Sequence, residues 1–180
     1  QGDWSSDVCS SDLSFSKLSC IIFPKDQMRT PGAHIFGCEP DFNAWTKEPN
    51  QKPNPPHPFM RSAGGHLHIE TTKNPFDVVK ACDLYLGVPS VLMDEGEMRK
   101  QLYGKHGACR PKSYGVEYRT LSNFWIFEER LIRWAWRNSV RAEACDMDLS
   151  SLSEQIIQAI DFNDKDVARQ LVKDFDLEVV

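Results

Sequence analysis

The chain has 180 residues and 41% hydrophobic side chains, with five tryptophans and ten phenylalanines, enough for the core of one compact domain. Its net charge of -5 and pI near 5.5 argue against a dedicated nucleic-acid binder, and no apolar run approaches the roughly 20 residues that cross a bilayer, so neither nucleic acid nor membrane is an expected partner. Cys9, Cys20, Cys38, Cys82, Cys109 and Cys145 are scattered with no C-x-x-C pair, which argues against a zinc ribbon or a compact disulfide framework and fits a reducing cytoplasm.

Residues 1–13 read as a non-native leader: Ser5-Ser6-Asp7 recurs as Ser10-Ser11-Asp12, and the string from Asp7 to Leu13 matches a translated sequencing-adapter end. Ala33 to Cys38 is short, apolar and bounded by Pro31-Gly32 and Pro40, which predicts a strand with the acids Glu39 and Asp41 at its end. The proline-rich stretch Lys52 to Phe59 predicts a long extended loop, either a lid carrying His57 or an inert connector.

Gly64 to Glu70 reads as a strand, and alternation puts His66, His68 and Glu70 on one face. A helix follows, with Asn74 as N-cap, Pro75 at its first position and Gly87 as its stop. Val88 to Met93 predicts a short buried strand, and Glu95 to Tyr103 a short helix closed by Gly104. From Arg99 to Arg119 the charge reverses: Arg99, Lys100, Lys105, Arg110, Lys112 and Arg119 face the single acid Glu117, as either a patch for a polyphosphate or a solvated basic loop.

Tyr114 to Arg119 is a second strand, with Glu117 and Arg119 on a common face. A helix from Glu128 to Cys145 is predicted with Leu131, Ile132, Ala135, Trp136 and Val140 inward and Arg130, Arg133, Arg137 and Arg141 outward. The segment 151–180 is helical, opened by a Ser151–Glu154 capping box and continued by a helix capped at Asn163 with Val167, Leu171 and Phe175 inward. No internal repeat appears at solenoid periods.

Two histidines on one strand face can hold zinc or simply hydrogen-bond in a core. The second strand shifts the balance, because Glu117 offers a hard oxygen ligand for a divalent cation while Arg119, Arg110 and Lys112 offer charged donors for phosphate oxygens. Together the two strands predict a metal–nucleotide site.

The segments Phe36 to Thr46, Arg61 to Ile69, Tyr103-Gly104-Lys105, Arg110-Pro111-Lys112, Tyr114 to Arg119 and Ser122 to Trp125 resemble, in matching order from about Ile35 to the C-terminus, the phage-type carboxylate-amine ligases or amidoligases. These belong to the glutamine synthetase and glutamate-cysteine ligase superfamily. The resemblance implies an α+β fold, a curved and mainly antiparallel sheet with helices packed on one side, binding ATP and Mg2+ in a groove. It implies metal contacts at Glu117, His66 and, as a second carboxylate, Glu39. It also implies nucleotide or phosphoryl contacts at Arg110, Lys112, Arg119 and His68, of which Arg119, Arg110 and His68 form the catalytic set. The partners would be a small-molecule or peptide carboxylate and an amine, joined through an acyl phosphate. Relatives carry a further acidic strand that nothing before Phe36 matches, so residues 14–180 are expected to be the C-terminal, N-terminally truncated part of the catalytic domain. Two other functions compete: a zinc-dependent hydrolase built on His66 and His68, and a non-catalytic module that binds acidic ligands through the basic window. Oligomeric state and the catalytic base are not legible.

Overall fold

A computed structural model describes residues 17–35, 41–51, 54–100 and 102–180. The protein is α+β with antiparallel sheets, as expected. Two edge strands, β1 (Cys20–Ile22) and β3 (Met60–Ser62), pair with each other. The main sheet is built from β2 (Phe42–Asn43), β4 (Leu67–Glu70), β5 (Ala108–Lys112) and β6 (Gly115–Tyr118) in the order β2-β5-β6-β4. The pattern in β6 decides which side is core. Val116 and Tyr118 are fully buried beside Ile69 and Cys109, whereas Glu117 alternates to the opposite face with its cross-strand partners Arg110 and His68.

Helices cover the apolar side. The segment α1 (Pro75–Cys82) packs on β5 and β6, with the Asn74 side chain accepting from Phe76 N–H at 2.9 Å as its cap. It does not stop at Gly87: a π-turn, Asp83–Gly87, carries it into α2 (Val88–Met93), so the expected strand at Val88 to Met93 is helix instead. The wider register fits the missing N–H of Pro89. Gly87 serves packing rather than termination, because a Cβ there would lie 2.7 Å from Ile160 Cδ1 and 2.8 Å from the Tyr118 hydroxyl.

A short helix, α3 (Glu97–Lys100), precedes Gly104, whose φ of 77° ends that segment as expected. The long α4 (Glu129–Ala144) lies against α1, and α5 (Ser153–Asp161) and α6 (Lys165–Asp174) close the core against α2. The inward face of α4 matches the prediction at Leu131 and Ala135 and departs from it elsewhere. Leu131, Trp134, Ala135, Asn138 and Ala142 are buried, while Ile132, Trp136 and Val140 are exposed, Trp136 to 68%. Polar anchors turn the helix: Trp134 Nε1 donates to Glu178 O at 2.8 Å, and Asn138 Nδ2 to the Glu178 carboxylate at 3.0 Å.

The helix ends also differ from expectation. The Ser151–Glu154 capping box does not form; Asp148 Oδ1 instead accepts from Ser150 N–H at 3.0 Å. The cap of α6 is Asp164, accepting from Asp166 and Val167 N–H, with Asn163 just before it at a φ of 53°. Ala33 and His34 belong to a 3-10 turn, Pro31–His34, rather than a strand, because proline opens the turn and the His34 ring bonds Met28 O at 2.7 Å. Ile35 closes that turn, and residues 36–38 of the predicted strand lie outside the described residues.

Candidate active site on the charged face of the sheet

Four side chains ring the Glu117 carboxylate. Arg119 Nη1 donates to Oε1, His66 Nδ1 stands 3.0 Å from the same oxygen, and Arg110 Nη1 and Lys112 Nζ approach Oε2 at 3.7 and 3.6 Å. Strand geometry produces the cluster: Arg110 is directly opposite Glu117 in the β5–β6 register, Lys112 lies two residues along the same face, and His66 sits just before β4. Arg119 continues past β6, its N–H donating to Ala108 O at 2.8 Å. The guanidinium then reaches Asp41, at the head of β2, with Nε 3.3 Å from Oδ2.

The Glu117 side chain is 6% exposed. Burial raises its pKa, but the charge and hydrogen bond of Arg119, with Arg110 and His66, outweigh that and hold the carboxyl below the usual glutamate range. His66 is lowered as well, to about 4, through burial first and then the charge of Arg119, against the pull of Glu117. Near neutral pH it is therefore a neutral imidazole, and its contact with Glu117 is a hydrogen bond rather than an ion pair.

Arg99 is not on a surface patch. It is 2% exposed, and its guanidinium donates to three main-chain carbonyls: Ala63 O at 2.9 Å, Thr120 O at 2.8 Å and Arg119 O at 3.1 Å. These bonds tie the entry to β4 to the exit of β6, fixing the backbone that presents both His66 and Arg119. The glycine pair permits this. A Cβ on Gly65 would collide with Ser122 O and the Trp125 indole, whose Nε1 donates to Gly65 O at 3.1 Å, and a Cβ on Gly64 would lie 2.5 Å from His66 Nε2 and 2.7 Å from Arg99 Nη2.

A second polar network lies behind the sheet. Asp83, fully buried, accepts from Trp45 Nε1 and Gly107 N–H, each at 2.7 Å, and from the Tyr118 hydroxyl at 2.9 Å. One carboxylate thus pins the turn after β2, the start of β5 and the strand that carries Glu117.

The expected site residues divide clearly. Arg110, Lys112, Glu117, Arg119 and His66 come together. His68 shares their face and is opposite Glu117 in register, but its exposed ring bonds the Tyr114 hydroxyl instead. Glu39 lies outside the described residues. Sequence reasoning gave Asp41 no site role, treated Arg99 as part of a basic patch and did not single out Asp83. Asp41 had a visible signal as an acid beside a strand end; the other two had none, because one polar residue within a helix looks like a solvated one.

A carboxylate enclosed by cations on an antiparallel sheet face defines a protein able to neutralise anionic oxygens next to a carboxylate. Residues 55–175 match the phage phiEco32-like COOH.NH2 ligase-type 2 family, and the chain belongs to that family. The match begins later than Ile35, where the resemblance was first read, and includes every site residue named above except Asp41 and Glu39. No curated protein and no solved structure matches the chain.

Proposed function

We propose that this carboxylate-amine ligase is ATP-dependent and forms an amide through an acyl phosphate. The observation that carries the reading is the enclosure of Glu117 by Arg119, Arg110 and Lys112 on one strand face. A carboxylate resists an amine because oxide is a poor leaving group, and bound ATP with Mg2+ would supply the phosphoryl group that activates it.

The donor set suits that role. Arg110, Lys112 and Arg119 would hold phosphate oxygens, the first and last as planar forks. Glu117 Oε2 meets its cations only at 3.6 and 3.7 Å, which leaves its lone pairs for a metal. Among the described residues no group of three or more acidic, histidine or cysteine side chains could hold a metal ion by itself. That agrees with Mg2+, which typically uses one or two protein carboxylates and takes its other ligands from phosphates and water. Asp41 and Glu117, both bonded to Arg119, are the described carboxylates positioned to serve.

In this reading the protein positions and neutralises rather than reacting covalently, as phosphoryl transfer requires. Arg119 spans the two carboxylates and would meet charge at the transferring group. Neutral His66 can donate a hydrogen bond at Nδ1 to Glu117 without adding charge. A zinc hydrolase finds less support, since the two imidazoles diverge, His66 to Glu117 and His68 to Tyr114. An acidic-ligand module would bind regardless of Mg2+ and lose its ligand with salt.

The test is ADP release by the full chain with Mg2+, ATP and a panel of carboxylates and amines. Release that needs both a carboxylate and an amine supports ligation; release indifferent to either, or nucleotide binding indifferent to Mg2+, would overturn it.

A further inference from the structure

Between β3, the Gly64 main chain and Arg119 lies a crevice of about 70 Å³, lined by Asp41, Ser62, Gly64, His66, Arg99, Tyr103 and Arg119. Against about 30 Å³ per water in the liquid, it admits a group of a few heavy atoms and no nucleoside. Its charge is unbalanced. Arg119 has Glu117 and Asp41, but among the described residues no carboxylate lies within ion-pair distance of Arg99. The nearby Asp94 side chain is engaged with Gly96 N–H at 2.8 Å.

Main-chain carbonyls satisfy three of the five guanidinium N–H groups, yet they do not neutralise a buried charge, and an uncompensated buried charge is costly. Burial pulls the Arg99 pKa down to about 10, against the charges of Asp94 and Asp41, neither of which forms an ion pair with it. The wall at Gly64 is tight: a Cβ there would lie 2.5 Å from His66 Nε2 and 2.7 Å from Arg99 Nη2, so only a glycine lets the guanidinium stand at the crevice edge.

We infer that this crevice is an oxyanion subsite in which Arg99, with Arg119, receives the carboxylate of the substrate to be activated. The inference rests on the ligase reading and deepens it. The polyphosphate would lie over Arg110 and Lys112, and Arg119, which borders both regions, would stand where the two anions meet. Arg99 then acts directly on substrate as well as on the backbone. A phosphoryl group shares the same chemistry, and the experiment separates the two.

The test is calorimetric titration of the full chain with acetate, with inorganic phosphate and with Mg2+–ATP, on the native protein and on Gly64→Ala, Ser62→Val and the exposed control Arg133→Ala. Gly64→Ala and Ser62→Val fill the crevice from opposite walls, and thermal unfolding reports whether each stays folded. Acetate binding should fall at least about tenfold in whichever crevice variant keeps its melting temperature and stay unchanged in Arg133→Ala. No acetate binding to the native protein, or equal binding in a folded crevice variant, overturns the subsite. If inorganic phosphate and not acetate is displaced, the crevice belongs to the phosphoryl group and the carboxylate assignment falls. Failure of Mg2+–ATP to bind while acetate passes these criteria would sink the ligase reading and leave the subsite standing.

Discussion

Two buried carboxylates sit on opposite faces of the same strand pair, and their surroundings drive them apart. Glu117 is ringed by charged donors and held below the ordinary range. Asp83, behind the sheet, is met by neutral donors from Trp45, Tyr118 and Gly107; burial dominates and pushes it up to about 6. Neutral hydrogen bonds satisfy lone pairs but do not offset the loss of hydration that a full charge suffers. The face with formal counter-charges is therefore where a carboxylate is held ionised. The face with neutral donors is where one is spent on holding the fold.

Removing Asp83 tests the structural side. Asp83→Ala would leave the Trp45, Gly107 and Tyr118 donors without their acceptor; at about 1–3 kcal/mol for each orphaned group, a loss of about 4 kcal/mol is expected in urea unfolding. Asp83→Asn keeps an oxygen for Trp45 and Gly107 and should cost only about 1 kcal/mol. Equal losses would mean that the charge, not the hydrogen bonding, matters there. On the other face the order reverses. Glu117→Gln should leave unfolding within about 1 kcal/mol yet reduce Mg2+-dependent ADP release by at least about 100-fold, on the order of 3 kcal/mol of transition-state stabilisation. Activity surviving that substitution would show that Glu117 is a structural partner of Arg119 and nothing more.

Acid stability separates the two further. The Asp83 pKa is raised, so its contribution is fully present below the unfolded value of 3.8 and is lost as pH rises through about 6. His66 is lowered from 6.5 to about 4, so its contribution is present above 6.5 and lost as pH falls through about 4. Between pH 4 and 6.5 the two slopes oppose, and unfolding free energy of the native protein should change little. In Asp83→Asn the His66 slope stands alone, and stability should fall on acidification by roughly 2 kcal/mol more than in the native protein across that window. A parallel profile in the variant would mean that Asp83 does not titrate there.

How legible these faces were follows from what specifies each. Part of the charged face was readable because period-two alternation needs no tertiary information: Glu117 with Arg119 follows from spacing alone, whereas Arg110 and Lys112 reach it through β5, a strand the sequence did not predict. His66 followed from the same rule, but His68 did not, since the register that puts it opposite Glu117 cannot show its ring turning to Tyr114. The features that stayed hidden depend on long-range contacts. Arg99 bonds carbonyls that are 20 to 36 residues away in sequence, and Asp83 bonds groups 24 to 38 away. The face of α4 was misread for a related reason: Trp134 and Asn138 are drawn inward by Glu178, whereas hydrophobicity alone favoured Ile132, Trp136 and Val140.

A third carboxylate sets the scale for both buried ones. Glu129 pairs with Arg133 one turn along α4, Oε1 to Nη2 at 2.6 Å, with side chains 77% and 67% exposed. The ions match those at Glu117, but water surrounds them, and holding two long side chains together cancels much of the attraction. Arg133→Ala should cost only about 0.3–0.5 kcal/mol, fading in high salt, by urea unfolding at two ionic strengths. A loss above about 1 kcal/mol that persists in salt would mean that ion-pair geometry, not enclosure, sets the strength, and the contrast drawn between the two faces of the sheet would lose its physical basis.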